Sequence, residues 1–203
     1  MGFTTYANDK FLNAFGQAAS VASPATHYIG LMTGTTWLAT HAYSSGVYVI
    51  PTTFASITTQ AGKIFKCTTA GTSSGTQPTW PTTTGGTVVD GTVTWTEVSF
   101  LFAQGTFTGA EISGSGYARV AVTANSTNFP NSSSAQPAVL ANGTVITFPS
   151  PTADWGLAIG WIDNDAATVG NCWAWAPMTT ALDCASGSTP SFAISALSLS
   201  LAP

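Results

Sequence analysis

The chain has 203 residues, 44% of them apolar, with four Lys/Arg against eight Asp/Glu and a formal net charge of −4. It is only 6% charged, where an ordinary soluble domain is about one-quarter charged, and Lys10, Lys63, Lys66 and Arg119 are too sparse and scattered to form a phosphate-binding patch. A mean hydropathy of +0.26 with little net charge argues against disorder, and no stretch approaches the roughly 18 consecutive apolar residues of a membrane helix.

The first 16 residues predict the one convincing helix. Thr4 or Thr5 can cap it and Gly16 can end it. Ala7, Phe11, Ala14 and Phe15 recur at helical spacing, so one face is apolar. Met1–Lys10 lacks the basic and then apolar regions of a signal peptide. A Ser-Pro turn then leads into a short strand, His27–Met32.

Residues 36–99 have a different texture. Gly62–Gly71 and Asp90–Trp95 read as short strands, and Asp90-Gly91 is a tight-turn dipeptide. Between them, Gln77-Pro-Thr-Trp-Pro81 is a loop carrying Trp80. This segment reads as a small β module inserted into a discontinuous host of residues 1–35 and 100–203. Beyond it, Tyr117–Thr123, Thr144–Phe148, Trp155–Ile162 and Phe192–Leu201 are alternating strands separated by Gly, Asn, Pro and Ser clusters. The expected fold is mainly β: an antiparallel, jelly-roll-like β-sandwich with one N-terminal helix and a small inserted β module. The length suits one good core and a smaller satellite.

Catalytic patterns are weak. Gly71-Thr-Ser-Ser-Gly75 matches a nucleophile motif, but that mechanism needs a strand-to-helix turn and a histidine downstream. His27 and His41 both lie upstream, so the match reads as chance. Asp163-Asn-Asp165, with Asp154, clusters oxygen ligands without the spacing of a hard-cation site, and reads as a polar turn. Asp90 reads as a turn residue, and Glu97 and Glu111 as solvated. No catalytic residue, cofactor or metal is expected, and the chain is not read as an enzyme. Cys67, Cys172 and Cys184 lack metal spacing. A Cys172–Cys184 disulfide requires the pair to span a hairpin, whereas a chain folded in cytosol keeps free thiols.

The aromatic residues admit two readings. Trp80 is either a platform for a sugar or a partner, or the plug of a small module. Trp37, at the start of the segment, joins it as a candidate glycan or partner contact. Trp95 reads as core. Trp173 and Trp175 share one sheet face, as a core pair or an interface stripe. Tyr117 and Arg119 also share a face. Arg119 either pairs with a carboxylate on a neighbouring strand or, with Tyr117, anchors an interface in an assembly.

Several stretches carry a resemblance. They are Thr4–Leu12, Pro24–Met32, Glu111–Val122 with its Gly-Tyr-Ala-Arg-Val element, Asn142–Pro149 and Thr152–Trp155. In order and spacing they resemble the tail-fibre-like structural proteins of tailed bacteriophages, a family that includes capsid-decoration and head-fibre proteins. The central segment, with Cys67–Gly71, Pro78–Pro81 and Asp90–Trp95, is similar to another recurrent phage-fibre module. The resemblance implies a virion structural protein that contacts other copies of itself, a trimer foremost, and other virion proteins. Simpler members of the family have only a short loop where the insert sits, so three roles stay open for it: a projecting knob, a lobe facing a host receptor such as a surface glycan, or an extra neighbour contact. It implies no enzyme activity or cofactor. The alternative is a carbohydrate-binding module or adhesin. Neither reading involves nucleic acid or membrane.

Overall fold

The computed structural model describes residues 2–17, 20–52, 63–99, 111–114, 116–130 and 139–200. Its elements are β1 (Gly2–Phe3), α1 (Thr5–Gln17), β2 (Thr26–Thr36), β3 (Ala42–Tyr43), β4 (Tyr48–Ile50), β5 (Phe65–Thr69), β6 (Gly71–Thr72), β7 (Thr87–Asp90) and β8 (Val93–Glu97). They continue with β9 (Val120–Thr123), β10 (Val139–Ala141), β11 (Ile146–Thr147), β12 (Leu157–Asn164), β13 (Cys172–Asp183), β14 (Ser191–Phe192) and β15 (Ser198–Ser200). The protein is mainly β, with a helix at its N-terminal end.

Thr4 caps α1. Its hydroxyl accepts the Ala7 amide and its carbonyl accepts that of Asn8. It also ties the helix to the sheet: its amide donates to the Trp173 carbonyl at 3.0 Å and its hydroxyl to that of Cys172. Trp173 meets the rings of Tyr6 and Phe11 edge-on. Gly16 lies inside the last turn, not beyond it; helix ends shift by a residue or two with local fraying. The apolar face predicted for α1 is only partly used. Ala7 is buried, while Leu12 is 68% exposed and Phe15 93%.

The strands order as β1-β13-β12-β2-β4-β5-β8-β7, with β9 also on β2, in a nine-stranded sheet dominated by antiparallel pairs. β2 is its spine. It is longer than the sequence pattern indicates, because Gly34 pairs with Leu157 and Thr35–Thr36 run parallel to Val49–Ile50. Tertiary pairing thus overrides the weak strand character of Gly-Thr-Thr. The β2–β4 joint is the one parallel pairing among the described strands, and it spans two residue pairs.

β13, which alternation did not delimit, contains Pro177. That residue stands opposite Gly160 where the β12–β13 register shifts. An irregularity is where a strand tolerates a residue without an amide hydrogen. Beyond Phe192 the last predicted strand breaks: Ser195 has φ 63° before β15 begins. Leu201 lies outside the described residues.

Among the described residues, three apolar clusters form the core. The first lies between Ile29, Leu31, Val122, Trp161 and Ala174 of the large sheet and Ile146, Phe192 and Leu197 from the short ribbons β11–β14 and β10–β15. This layering of ribbons on a sheet face is the physical content of the sandwich expectation. The second joins Met32, Ile159, Ile162 and Trp175 to Tyr48, Ile50, Ile64 and Val98. The third is drawn from residues 37–95 alone: Trp37, Tyr43, Val49, Phe65, Cys67, Trp80, Val93 and Trp95. Trp173 and Trp175 are both buried, the core alternative for that pair.

Cys67, Cys172 and Cys184 are all free and buried. Of the two readings of Cys172 and Cys184, free thiols are the one found, and the two side chains sit in different clusters. Burial pushes the Cys184 thiol up to about 11, which keeps it protonated and unreactive.

Candidate functional site

Asp90 organises the third cluster. Its Oδ2 accepts the indole N–H of Trp37 at 2.8 Å and that of Trp95 at 3.0 Å. Its Oδ1 accepts the Ser74 amide at 2.9 Å and the Ser74 hydroxyl at 2.5 Å. The turn reading captures half of its role. Asp90 pairs with Val93 across Gly91-Thr92, and Gly91 has φ +64°, the left-handed backbone a tight hairpin requires. The other half, the indole hub, has no local signal, because Trp37 is remote in sequence.

Trp80 is 2% exposed, with its ring against Phe65 at 4.3 Å and Trp95 at 5.9 Å between centroids. Trp37 is buried too. In this arrangement neither indole offers a face to a sugar; both fill the small core. Ser73, of the Gly-x-Ser-x-Gly match, is also buried. Its hydroxyl donates to the Leu38 carbonyl at 2.7 Å and accepts the His41 amide at 2.9 Å.

Glu97 and Glu111 are not the solvated acids that their positions suggested. Glu97 is buried and accepts the Ser99 and Gly85 amides, with Lys63 Nζ at 3.6 Å. Glu111 receives a two-pronged contact from Arg119, Nε to Oε1 at 2.8 Å and Nη2 to Oε2 at 2.7 Å. The parallel geometry suits a guanidinium and not an ammonium. Arg119 Nη1 donates to the carbonyls of Ala166 and Val169, both at 2.8 Å. The Tyr117 hydroxyl accepts the Leu31 amide at 2.8 Å and donates to Glu111 at 3.0 Å. Burial first, and the Glu111 charge second, push this phenol far above its ordinary range, so it stays a neutral donor. Tyr117 thereby extends the β2 ladder past the end of β9. Gly30 makes the approach possible, since a Cβ there would stand 2.8 Å from Glu111 and 3.0 Å from the Tyr117 oxygen. The structure thus brings Tyr117 and Arg119 together with Glu111 in an internal clamp.

The clamp holds a strained loop. Val169 is 86% exposed with φ 55°, a backbone region costly for a β-branched side chain. Val169→Gly is expected to raise stability by about 1 kcal/mol by removing that strain, visible as a higher melting temperature in calorimetry. An unchanged or lower value would show the loop is unstrained. Asp165 closes the same loop, accepting the Asn171 amide at 2.7 Å and side chain at 2.9 Å. Asp154 accepts the Gly156 amide at 2.7 Å. Among the described residues no three His, Cys, Asp or Glu side chains converge to hold a metal.

The described acids mostly hold loops, strands and indoles in place within a charge-poor β framework. Residues 102–200 match the Gp80 family, described as podophage GP4 fiber I protein gp80. The match covers just under half of the chain, from before β9 through β15, and contains Glu111, Tyr117 and Arg119. It supports a phage fibre-like structural protein family, in agreement with the resemblance read from the Gly-Tyr-Ala-Arg-Val element. No curated protein matches the chain.

Proposed function

We propose that this protein is a structural subunit of a tailed-phage virion surface, a tail fibre or a capsid-decoration or head fibre, without enzyme activity. It assembles with copies of itself, foremost as a trimer, and with other virion proteins, while residues 36–99 form an inserted lobe directed toward the host cell. The fibre-family match over residues 102–200 carries this reading. The exposed face of α1 supports self-assembly: Leu12 and Phe15 lie uncovered on one short helix beside the partly covered Phe11, and apolar surface of this kind marks contact sites. Few charges need desolvating at such a contact.

Native mass spectrometry and light scattering at micromolar concentration test the reading, together with electron microscopy of labelled virions. A trimer present in particles is expected, and Leu12→Ser with Phe15→Ser is expected to shift it to monomer with the fold intact. A clean monomer that never enters particles would overturn the proposal.

A further inference from the structure

Asp163, near the end of β12, is 5% exposed. Its Oδ2 accepts the His27 Nδ1–H at 2.8 Å. Its other oxygen, Oδ1, is sealed from solvent and meets no hydrogen-bond donor among the described residues. A buried acceptor left unused is costly, and such groups mark places where something else binds. Burial raises this carboxyl against the opposing pull of His27.

Two hollows meet at this side chain. The outer groove, about 360 Å³, is lined by Ser23, His27, Asn125, Phe129 and Leu140 together with Asp163. The inner hollow, about 20 Å³, also borders Asp163, beside Trp161 and Asn142. It is large enough for one water or one projecting hydroxyl and nothing more. A ligand body would therefore occupy the outer groove and reach Oδ1 with a single small donor.

The lining selects the ligand class. Phe129 and Leu140 supply apolar wall, with the His27 ring edge-on to Phe129 at 5.0 Å between centroids. Asn125 spends its Oδ1 on the Thr127 and Asn128 amides, which leaves its amide nitrogen to donate. Ser23 adds a hydroxyl at the rim. An anion would meet the Asp163 carboxylate, and a metal ion would find only His27 and Asp163. A molecule with an apolar C–H face and several neutral hydroxyls satisfies all of these groups, and the groove volume suits a small ligand. We propose that this groove binds a neutral saccharide, with Asp163 Oδ1 accepting a sugar hydroxyl and Phe129 flanking the ring. The site differs from the Trp80 platform considered from sequence, and its existence does not depend on the assembly role.

The test is saturation-transfer NMR on the full chain with the methyl glycosides of glucose, galactose, N-acetylglucosamine and rhamnose, and with glucosamine as a cationic probe. At least one neutral glycoside is expected to bind. Asp163→Asn and Phe129→Leu are each expected to weaken it by about tenfold or more, as when a buried acceptor or ring face is lost, with thermal melting retained. If Asp163→Asn does not fold, Phe129→Leu and the rim variant Asn125→Ala give the readout. Binding of glucosamine alone, no binding of any neutral glycoside, or binding unchanged in the folded variants would each overturn the proposal. A water alone at Oδ1 in a sugar-soaked crystal would overturn it as well.

Discussion

Replacing Asp90 with alanine is expected to destabilise the region built around Trp37, Trp80 and Trp95 by about 3–5 kcal/mol. The figure follows from what the substitution strands. Two buried indole N–H groups and two donors of Ser74 lose their shared acceptor, and an unsatisfied buried donor costs about 1–3 kcal/mol. Urea unfolding followed by tryptophan fluorescence would read the loss directly, since three indoles of the protein sit in this cluster. A shift below about 1 kcal/mol would show that water replaces the carboxylate without penalty.

The same site responds to acid. Burial alone would raise the Asp90 carboxyl, but the hydrogen bonds from Ser74, then those from Trp37 and Trp95, outweigh it and hold the group below its ordinary value. The folded state therefore binds this proton less tightly than the unfolded chain does. The stabilisation is complete above the unfolded value of about 3.9 and is lost as pH falls through the lower folded value. Asp90→Asn should remove this part of the acid sensitivity.

Arg119→Ala is expected to cost about 3 kcal/mol and to release the loop at residues 165–170. The guanidinium side chain is nearly enclosed and makes four directed bonds, two to Glu111 and two to loop carbonyls. Removing one partner of such a pair leaves the other charge poorly compensated. Hydrogen exchange should rise at Ala167–Gly170, and denaturant midpoints should fall. Arg119→Lys should recover little, because an ammonium cannot reach the carboxylate and two carbonyls at once. Normal stability of Arg119→Ala, with loss of oligomers instead, would return Arg119 to the interface role considered from the sequence.

The β character, the helix and its Thr4 cap were legible because they rest on local rules. Alternation in Trp155–Ile162 reports a sheet face, and a threonine before an apolar-periodic run reports a helix start. Asp90-Gly91 announced its hairpin for the same reason. What was not legible depends on residues far apart in sequence. Glu111 looked solvated because Arg119 and the Gly30 gap that admits it cannot be paired by pattern. Trp80 admitted both a platform and a plug, and only Phe65 and Trp95, remote partners that close over the ring, decide for the plug. His27 and Asp163 carried no joint signal until β2 and β12 placed them side by side; Ile29 is the registered partner of Asp163, and His27 lies two residues along the same face. β13 was blurred by Pro177, whose tolerance depends on a register shift in its neighbour.

Half of the twelve charged side chains are turned inward. Lys63 and Glu97, Glu111 and Arg119, Asp90, and Asp163 with His27 are committed to partners within the fold, while Asp9, Lys10, Asp154 and Asp183 remain on the outside. Dissolved ions act mainly on exposed charge, over a screening distance of about 10 Å at 0.1 M salt. An exterior of threonine, serine, glycine and uncovered apolar side chains gives them little to act on. Under the assembly proposed above, contacts made through such a surface would hold in fresh water and in brine alike, with shape and uncharged hydrogen bonds deciding which neighbour fits.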